Sequence, residues 1–320
     1  MQIIDTLTDA DFRTPKVEIP ACLSEKPVAA AIGFFDGVHL GHRHLLAQVR
    51  HEAALRGLSA AAVTFSQHPR STLCTDYRPR LITSLPEKLS RLEAESLDLC
   101  LVLNFTPFVA SLSARGFMEV LRRRLNVRCL VIGYDHRFGC GRSETFSDYV
   151  AFGRELGIDV VQATELPAEG VSVSSSAVRR ALESGDVKQA SRFLGYNYSL
   201  ETLVVPGRKI GRTIGFPTAN LQLCDPDRLI PAGGVYAVRV RWANVCYEAM
   251  LNIGCRPTIG KALAQTLEAH LFDFSGDLYG SRLTLEFVER LRDERAFISL
   301  ESLREQLACD AACAKSILQL

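Results

Sequence analysis

Residues 28–33 are small and apolar without a polar break, a run too short for a helix and closed by glycine, which predicts a buried strand. Leu45, Leu46, Val49 and Ala53 then recur at helical spacing until Gly57 stops them, so a strand, a glycine turn and a helix follow one another. Further buried strands are expected at 59–65, 99–105 and 130–133, with helix-like segments such as 112–125 between them. Strands alternating with helices predict a parallel sheet wound in the Rossmann manner. A helical pattern at 176–182 and a polar stretch at 183–189 follow, and beyond Asn197 the period becomes two. Tyr236, Val238, Val240 and Trp242 alternate with Arg239 and Arg241; Leu267, Ala269 and Leu271 with Glu268 and His270; Leu283, Leu285 and Phe287 with Thr284 and Glu286. Short antiparallel strands joined by Gly/Pro-rich turns predict a small barrel, closed so that no edge is left open, and 300–307 reads as a final helix. The change of period near residue 185 gives two domains, 1–186 α/β and 187–320 all-β.

Composition narrows the partners. With 37 basic against 36 acidic residues the net charge is +1, so there is no broad positive field for nucleic acid or an anionic membrane, and an anionic small molecule must be held locally. Residues 1–6 lack a basic stretch followed by an apolar one, and no run reaches the roughly 18 apolar residues of a spanning helix. Ten cysteines are scattered, Cys309 and Cys313 being the closest pair, and no CxxC occurs, which suits reduced thiols better than zinc or disulfides. A cytoplasmic protein, monomeric or weakly homo-oligomeric, is the expectation.

Residues 33–42, GFFDGVHLGH, set His39 and His42 at the mouth of a helix, where unpaired backbone N–H groups and the dipole favour anions. Gly33, Gly37 and Gly41 let a phosphate approach the main chain, with Phe34 and Asp36 in the same turn; a tight turn carrying exposed histidines is the alternative. Residues 173–179 supply Ser174, Ser175, Ser176 and Arg179, hydroxyls and a fixed charge suited to phosphates, and equally an N-cap cluster. His68, in TFSQHP at 64–69, and Asp135, in GYDHRFG at 133–139, follow predicted strands at the end where open α/β sheets bind ligands; Phe138 there also suits a core.

The second half has no Walker A loop: residues 254–262 come nearest, with one residue too many and alanine where the magnesium hydroxyl belongs. Residues 211–220, GRTIGFPTAN, are more distinctive. Pro217 extends Phe216 and presents Thr218, whose hydroxyl with the Asn220 carbonyl makes a pair of hard oxygen ligands suited to Mg²⁺, while Gly207, Gly211 and Gly215 make a pliable cover for phosphates. A turn in which threonine and asparagine cap the local backbone is the alternative. Glu268, on a half-buried strand, is either a surface carboxylate like Glu286 or a general base.

In their order, these motifs resemble the bifunctional bacterial riboflavin kinase/FAD synthetase family over nearly the whole chain. The resemblance implies a Rossmann-like nucleotidyltransferase domain followed by a small antiparallel β-barrel kinase domain with a C-terminal helix. ATP would be co-substrate, riboflavin, FMN and FAD the flavin substrates and products, and Mg²⁺ the metal. It implies Glu268 as base for the riboflavin 5′-hydroxyl, Thr218 and Asn220 at the metal, and Tyr279, Gly280 and Arg292 around the flavin. His39, His42, Arg179 and the serines would meet ATP phosphates, with His68 and Asp135 along the FMN and adenine sites. The departures are Phe34 where many members have asparagine, Gln67 for proline and Ser176 for threonine.

Overall fold

The structure, a computed structural model, describes residues 1–4, 26–74, 76, 78–141, 143–166, 173–207, 211, 215–258 and 261–319, with side chains except at 73, 255–258 and 261–264. Arg212, Thr213 and Ile214 of the 211–220 motif lie outside the described residues. Two compact units divide the chain: residues 1–79 with 83–173, and residues 80–82 with 174–320.

In the first unit β1 (Gln2–Ile4), β2 (Val28–Ile32), β3 (Ser59–Phe65), β4 (Leu99–Leu103), β5 (Val127–Ile132) and β6 (Asp159–Gln162) form one sheet in the order β1-β4-β3-β2-β5-β6, every pair parallel. Its strands alternate between two apolar cores. Ile32, Val63, Leu101 and Leu130 face one, Ala31, Ala62, Cys100 and Val131 the other, as a sheet covered on both sides requires. The helices are α1 (Leu40–Arg56), α2 (Pro69–Leu73), α3 (Leu85–Ala94), α4 (Pro107–Ser111), α5 (Ala114–Arg124) and α6 (Phe146–Leu156). Gly57, at φ 64°, ends α1 as its sequence predicts, bonding back to the Ala53 and Ala54 carbonyls. The helix expected at 112–125 is α5, running from Ala114 to Arg124, with the short α4 ending just before it. Leu112 is extended, and Ser113 starts α5 by accepting from the Gly116 N–H at 3.1 Å, a local bond that wins over helix continuation. Since β3 and β4 lie on one side of β2 and β6 beyond β5, the chain reverses direction between β2 and β5, the place where such sheets open a crevice at their C-terminal ends.

The second unit begins with α7 (Ser175–Glu183) and α8 (Val187–Leu194). The polar stretch expected at 183–189 is a turn at Gly185, φ 82°, followed at once by α8, because the Asp186 carboxylate caps Gln189 N–H at 2.9 Å while Val187, Ala190, Phe193 and Leu194 are buried. A closed antiparallel barrel follows: β7 (Ser199–Val205), β8 (Ala219–Leu223), β9 (Gly234–Trp242), β10 (Val245–Thr258), β11 (Lys261–Leu271) and β12 (Arg282–Arg292), ordered β10-β11-β8-β7-β12-β9. The final helix, α9 (Leu300–Leu318), runs well past 307 and lays Ala314 and Leu318 on Ala237, Met250 and Phe272. Residues 80–82 join this unit through Arg228, which is buried and donates from Nη2 to the Ile82 carbonyl at 2.7 Å and the Ser199 carbonyl at 2.6 Å.

Candidate active sites

In the first unit residues 33–39 connect β2 to α1 at the reversal point. His39 is the N-cap of α1. Its Nδ1 accepts from the His42 N–H at 3.3 Å, which leaves Nε2 as the protonated nitrogen of the neutral ring. The two imidazoles stack with centroids 3.6 Å apart, and the Phe35 ring edges onto His42 at 5.2 Å. The turn holds unusual backbone: φ is 53° at Phe35, 83° at Gly37 and 36° at Val38, the last a β-branched residue that strongly disfavours that region. Such strain persists only where the surroundings fix it. Thr83 does part of this, giving its N–H (3.1 Å) and hydroxyl (3.3 Å) to the buried Asp36 carboxylate and accepting from the Gly37 N–H at 3.0 Å. Gly41 cannot take a side chain cheaply, since a Cβ there meets the Val173 carbonyl at 3.0 Å and the His39 ring at 3.2 Å.

Lys88 does the rest. It lies on the buried face of α3, 3 % exposed, and donates to the Phe34 carbonyl at 3.1 Å and the Phe65 carbonyl at 2.7 Å, with its ammonium 4.2 Å from the Phe34 ring centre. Burial lowers its pKa from 10.5 to about 8, against the opposing attraction of Asp36 and Cys100. His68 meets the Phe34 ring edge-on at 4.8 Å and caps α2. After β5, Asp135 is exposed, and Phe138 is core: it stacks on Tyr149 at 4.6 Å, whose hydroxyl accepts from Phe138 N–H and donates to its carbonyl. Gly33, Phe34, Asp36, His39, His42, His68 and Asp135 therefore all follow C-terminal ends of β2, β3 or β5. Ser174, Ser175, Ser176 and Arg179 fall in the second unit, at the start of α7. There Ser174 is the N-cap, accepting from Ala177 N–H at 3.2 Å, and Arg179 Nε donates to the Arg80 carbonyl at 3.0 Å.

In the second unit strand register carries the information. Glu268 of β11 stands directly opposite Asn220 of β8 on one side and Asn252 of β10 on the other. Cross-strand partners share a face of the sheet, so the three polar side chains form one row. Their neighbours Leu267 and Ala269 are buried toward the barrel interior, which puts this row on the outside. Gly207 lies under that row: a Cβ there would collide with the Asn220 amide, so only glycine lets the asparagine sit where it does. Gly211 is closed in the same way by the Phe216 carbonyl, and it accepts from the Phe216 N–H at 2.9 Å; Gly215, at φ 85°, needs glycine for its backbone alone. His270 Nδ1 lies 2.7 Å from the Pro217 carbonyl; a carbonyl only accepts, so that nitrogen carries the proton and pins the loop. Beside it is a cavity of about 110 Å³ lined by Val204, Pro217, Thr218, Phe274, Asp277 and Tyr279. Tyr279 is exposed, its N–H held by Asp277 at 2.9 Å, and Gly280 has φ 74°. Arg292 ends β12 in a bidentate pair with Asp310 of α9, at 2.7 to 3.1 Å.

Thr83, Lys88, His270, Asp277 and Asp310 were not singled out by the sequence. Asp277 and His270 adjoin motifs that were, but Thr83 and Lys88 lie in a stretch without one. Among the described residues no cluster of His, Cys, Asp and Glu could hold a metal, the cysteines whose side chains are described are free, and no helix is long and apolar enough to cross a membrane.

Known proteins share this arrangement. The family model for FAD synthetase matches residues 23–177 and that for riboflavin kinase residues 194–318. The bifunctional riboflavin kinase/FMN adenylyltransferase of Bacillus subtilis is 36% identical over 286 residues, covering 88% of this chain and 89% of that protein. Its Escherichia coli K12 counterpart is 38% identical over 291 residues, covering 90% and 92%. A crystal structure from Streptococcus pneumoniae, described as a macrolide-efflux protein, superposes with a TM-score of 0.85 at 29% identity over 98% of this chain and 99% of that one. On the strength of both family models and of these full-length relatives, the chain belongs to the bifunctional riboflavin kinase/FMN adenylyltransferase family.

Proposed function

We propose that the second unit phosphorylates riboflavin with ATP to give FMN, and that the adenylyltransferase half converts FMN and ATP to FAD and pyrophosphate. The limits proposed are 187–320 for the kinase and 1–186 for the adenylyltransferase. The observation that carries the kinase assignment is the register that sets Glu268 beside Asn220. Glu268 takes the proton of the riboflavin 5′-hydroxyl as that oxygen attacks the γ-phosphorus of ATP and ADP departs. Tyr279, Gly280 and Arg292 border the flavin, while Gly207, Gly211, Gly215 and Pro217 cover the nucleotide.

Mg²⁺ suits this donor set. Thr218 and Asn220 offer neutral hard oxygens, and Gly207 leaves the space that the Asn220 amide occupies; so small a protein contribution matches a cation that keeps its waters and takes phosphate oxygens as ligands. Bound there, it would neutralise charge on the transferring phosphates. Asn220 and Thr218 would hold it, and His270 keeps their loop in place through Pro217.

In the adenylyl step an FMN phosphate oxygen attacks the α-phosphorus of ATP and pyrophosphate leaves, so no covalent enzyme intermediate is needed. His39 and His42, at the N-terminus of α1, donate to the phosphates, and Ser174, Ser175, Ser176 and Arg179 supply hydroxyls and a charge of the kind that binds phosphate. Gly33, Phe34, Asp36 and Gly41 shape the nucleotide loop, with Asp135 toward the adenine and His68 toward FMN. A cytoplasmic monomer or weak homo-oligomer acting on small molecules completes the proposal. Incubation of the purified protein with riboflavin and Mg-ATP, with flavins resolved chromatographically, should give FMN first and FAD second. Absence of FMN would refute the kinase assignment, and FMN that never becomes FAD would refute the other.

A further inference from the structure

We propose that Lys88 is a positioning residue for adenylyl transfer, fixing the β2–α1 turn against β3 and setting a positive charge beneath the nucleotide loop. This rests on the assignment of residues 33–42 to the nucleotide. Lys88 is buried among groups that only a cation satisfies together: the Phe34 carbonyl just past β2, the Phe65 carbonyl at the end of β3, and the face of the Phe34 ring. An apolar helix face would pack here at lower cost, because taking an ammonium out of water is expensive even when it is bonded. The cost has a visible counterpart in the turn it holds. Phe35 and Val38 adopt positive φ one and four residues after the carbonyl that Lys88 grips, and the turn delivers Asp36 and His39 to the crevice. Phe34 links the same group to His68, since its ring touches both the Lys88 ammonium and the His68 imidazole.

The charge matters as well as the bonds. Lys88 faces Asp36 from the turn and Cys100 from β4, while β3 presents the Phe65 carbonyl. The Cys100 thiol is itself pushed up to about 11 by burial and stays neutral, so Asp36 is the carboxylate that Lys88 balances. With Lys88 protonated the turn is a neutral pair open to a triphosphate; with Lys88 neutral, Asp36 is left to repel it. Because burial brings the pKa of Lys88 to about 8, that change falls within a testable range.

The test compares Lys88→Met, the double variant His39→Ala with His42→Ala, and the unaltered protein, measuring FMN adenylylation against pH and ATP concentration and riboflavin phosphorylation in the same samples. The expected result for Lys88→Met is a loss of kcat/KM for ATP in adenylylation on the order of tenfold to a hundredfold, with riboflavin phosphorylation retained. In the unaltered protein kcat/KM for ATP in adenylylation should fall as pH rises through about 8, and in Lys88→Met that break should be absent. Adenylylation within about threefold of normal in Lys88→Met, or a break that survives the substitution, would overturn the proposal. Should Lys88→Met prove unfolded by circular dichroism, the pH profile of the unaltered protein decides alone, and a flat profile through 8 overturns it. If the histidine variant keeps adenylylation, the assignment of the turn is wrong; if it loses adenylylation and Lys88→Met does not, only the role of Lys88 is wrong.

Discussion

Replacing Asp310 by leucine should destabilise the second unit by about 3 kcal/mol, well beyond the effect of an ordinary surface ion pair. The Arg292 guanidinium reaches both Asp310 oxygens, from Nε at 2.9 and 3.1 Å and from Nη2 at 2.7 Å, and Gln306 Nε2 adds a fourth hydrogen bond at 2.7 Å. The Asp310 side chain is 4 % exposed and that of Arg292 20 %. Removing one partner of a buried pair costs about 3–5 kcal/mol because the other charge is stranded. The lower end applies here, since Arg292 keeps a bond to the Asp293 carbonyl at 2.8 Å and some access to water. At about 2–4 °C per kcal/mol, the melting transition that tracks kinase loss should fall by roughly 6–12 °C. The double variant Arg292→Met with Asp310→Leu should recover most of this, because no charge is then stranded and two apolar side chains join β12 to α9. Differential scanning calorimetry on the four proteins of the cycle measures the coupling. If the two single losses simply add in the double variant, the pair is not the fastening between β12 and α9 that its geometry indicates. If Arg292 also borders the flavin, as proposed, the double variant regains stability without regaining riboflavin affinity.

Other expectations follow from single contacts. Glu268→Gln should lower FMN formation roughly 10²- to 10⁴-fold while supplied FMN is still converted to FAD, and near-normal kinase turnover would remove Glu268 from the mechanism. Gly207→Ala should displace the Asn220 amide and abolish magnesium-dependent phosphorylation with little change in circular dichroism; an active variant would place the metal elsewhere. Lys88 gives the first unit a pH signature opposite to its effect on activity. Its folded pKa of about 8 lies below the ordinary 10.5, so between those values the unfolded chain holds a proton that the folded one has released, and stability rises with pH across that window, by at most about 3 kcal/mol. Urea titrations at pH 7.5 and 10 on the native protein and on Lys88→Met check this: the rise should be smaller in the variant, and equal slopes would contradict it.

The elements that could be read from sequence are those whose signal is local. A buried strand such as Ser59–Phe65 is a continuous apolar run, and α1 announces its end through Gly57, because both follow from neighbouring residues. The loops at 33–42 and 211–220 were legible for the same reason, their glycines being demanded by backbone at Gly37 and Gly215 and by close approach at Gly211. Lys88 was not. A lysine in the first turns of an amphipathic helix normally reaches water, and nothing nearby in sequence says that the carbonyls of Phe34 and Phe65 need a donor until β2 and β3 are paired and α3 is laid across them. Asn252 carries no local signal of its own. Its place beside Glu268 is a matter of register, which long-range pairing sets and a one-residue slip would reverse.

The division of the chain shows the same contrast, and it yields the last prediction. A change of hydrophobic period marks where strands replace helices, near residue 185, but it cannot say which unit the last helices join. In the structure α7 and α8 pack on each other and on the barrel side of the chain: the Leu182 carbonyl accepts from Ala232 N–H at 3.0 Å, and Lys188 pairs with Glu289 at 2.6 Å. A fragment of residues 187–320 keeps every residue proposed for phosphorylation, so it should make FMN. It also loses α7, whose Ala177, Val178, Ala181 and Leu182 are buried, and so leaves apolar surface on α8 uncovered. It loses as well the Ile82 carbonyl that Arg228 grips. A fragment of residues 174–320 keeps the helix pair and lacks only residues 80–82. Burying one aliphatic side chain contributes about 1.5–3 kcal/mol, so restoring α7 should raise the urea midpoint clearly while leaving kcat for FMN formation similar in the two fragments. Equal midpoints would show that α7 contributes nothing to the barrel's stability. A folded 187–320 fragment that binds riboflavin yet makes no FMN would show that the kinase site draws on residues before 187.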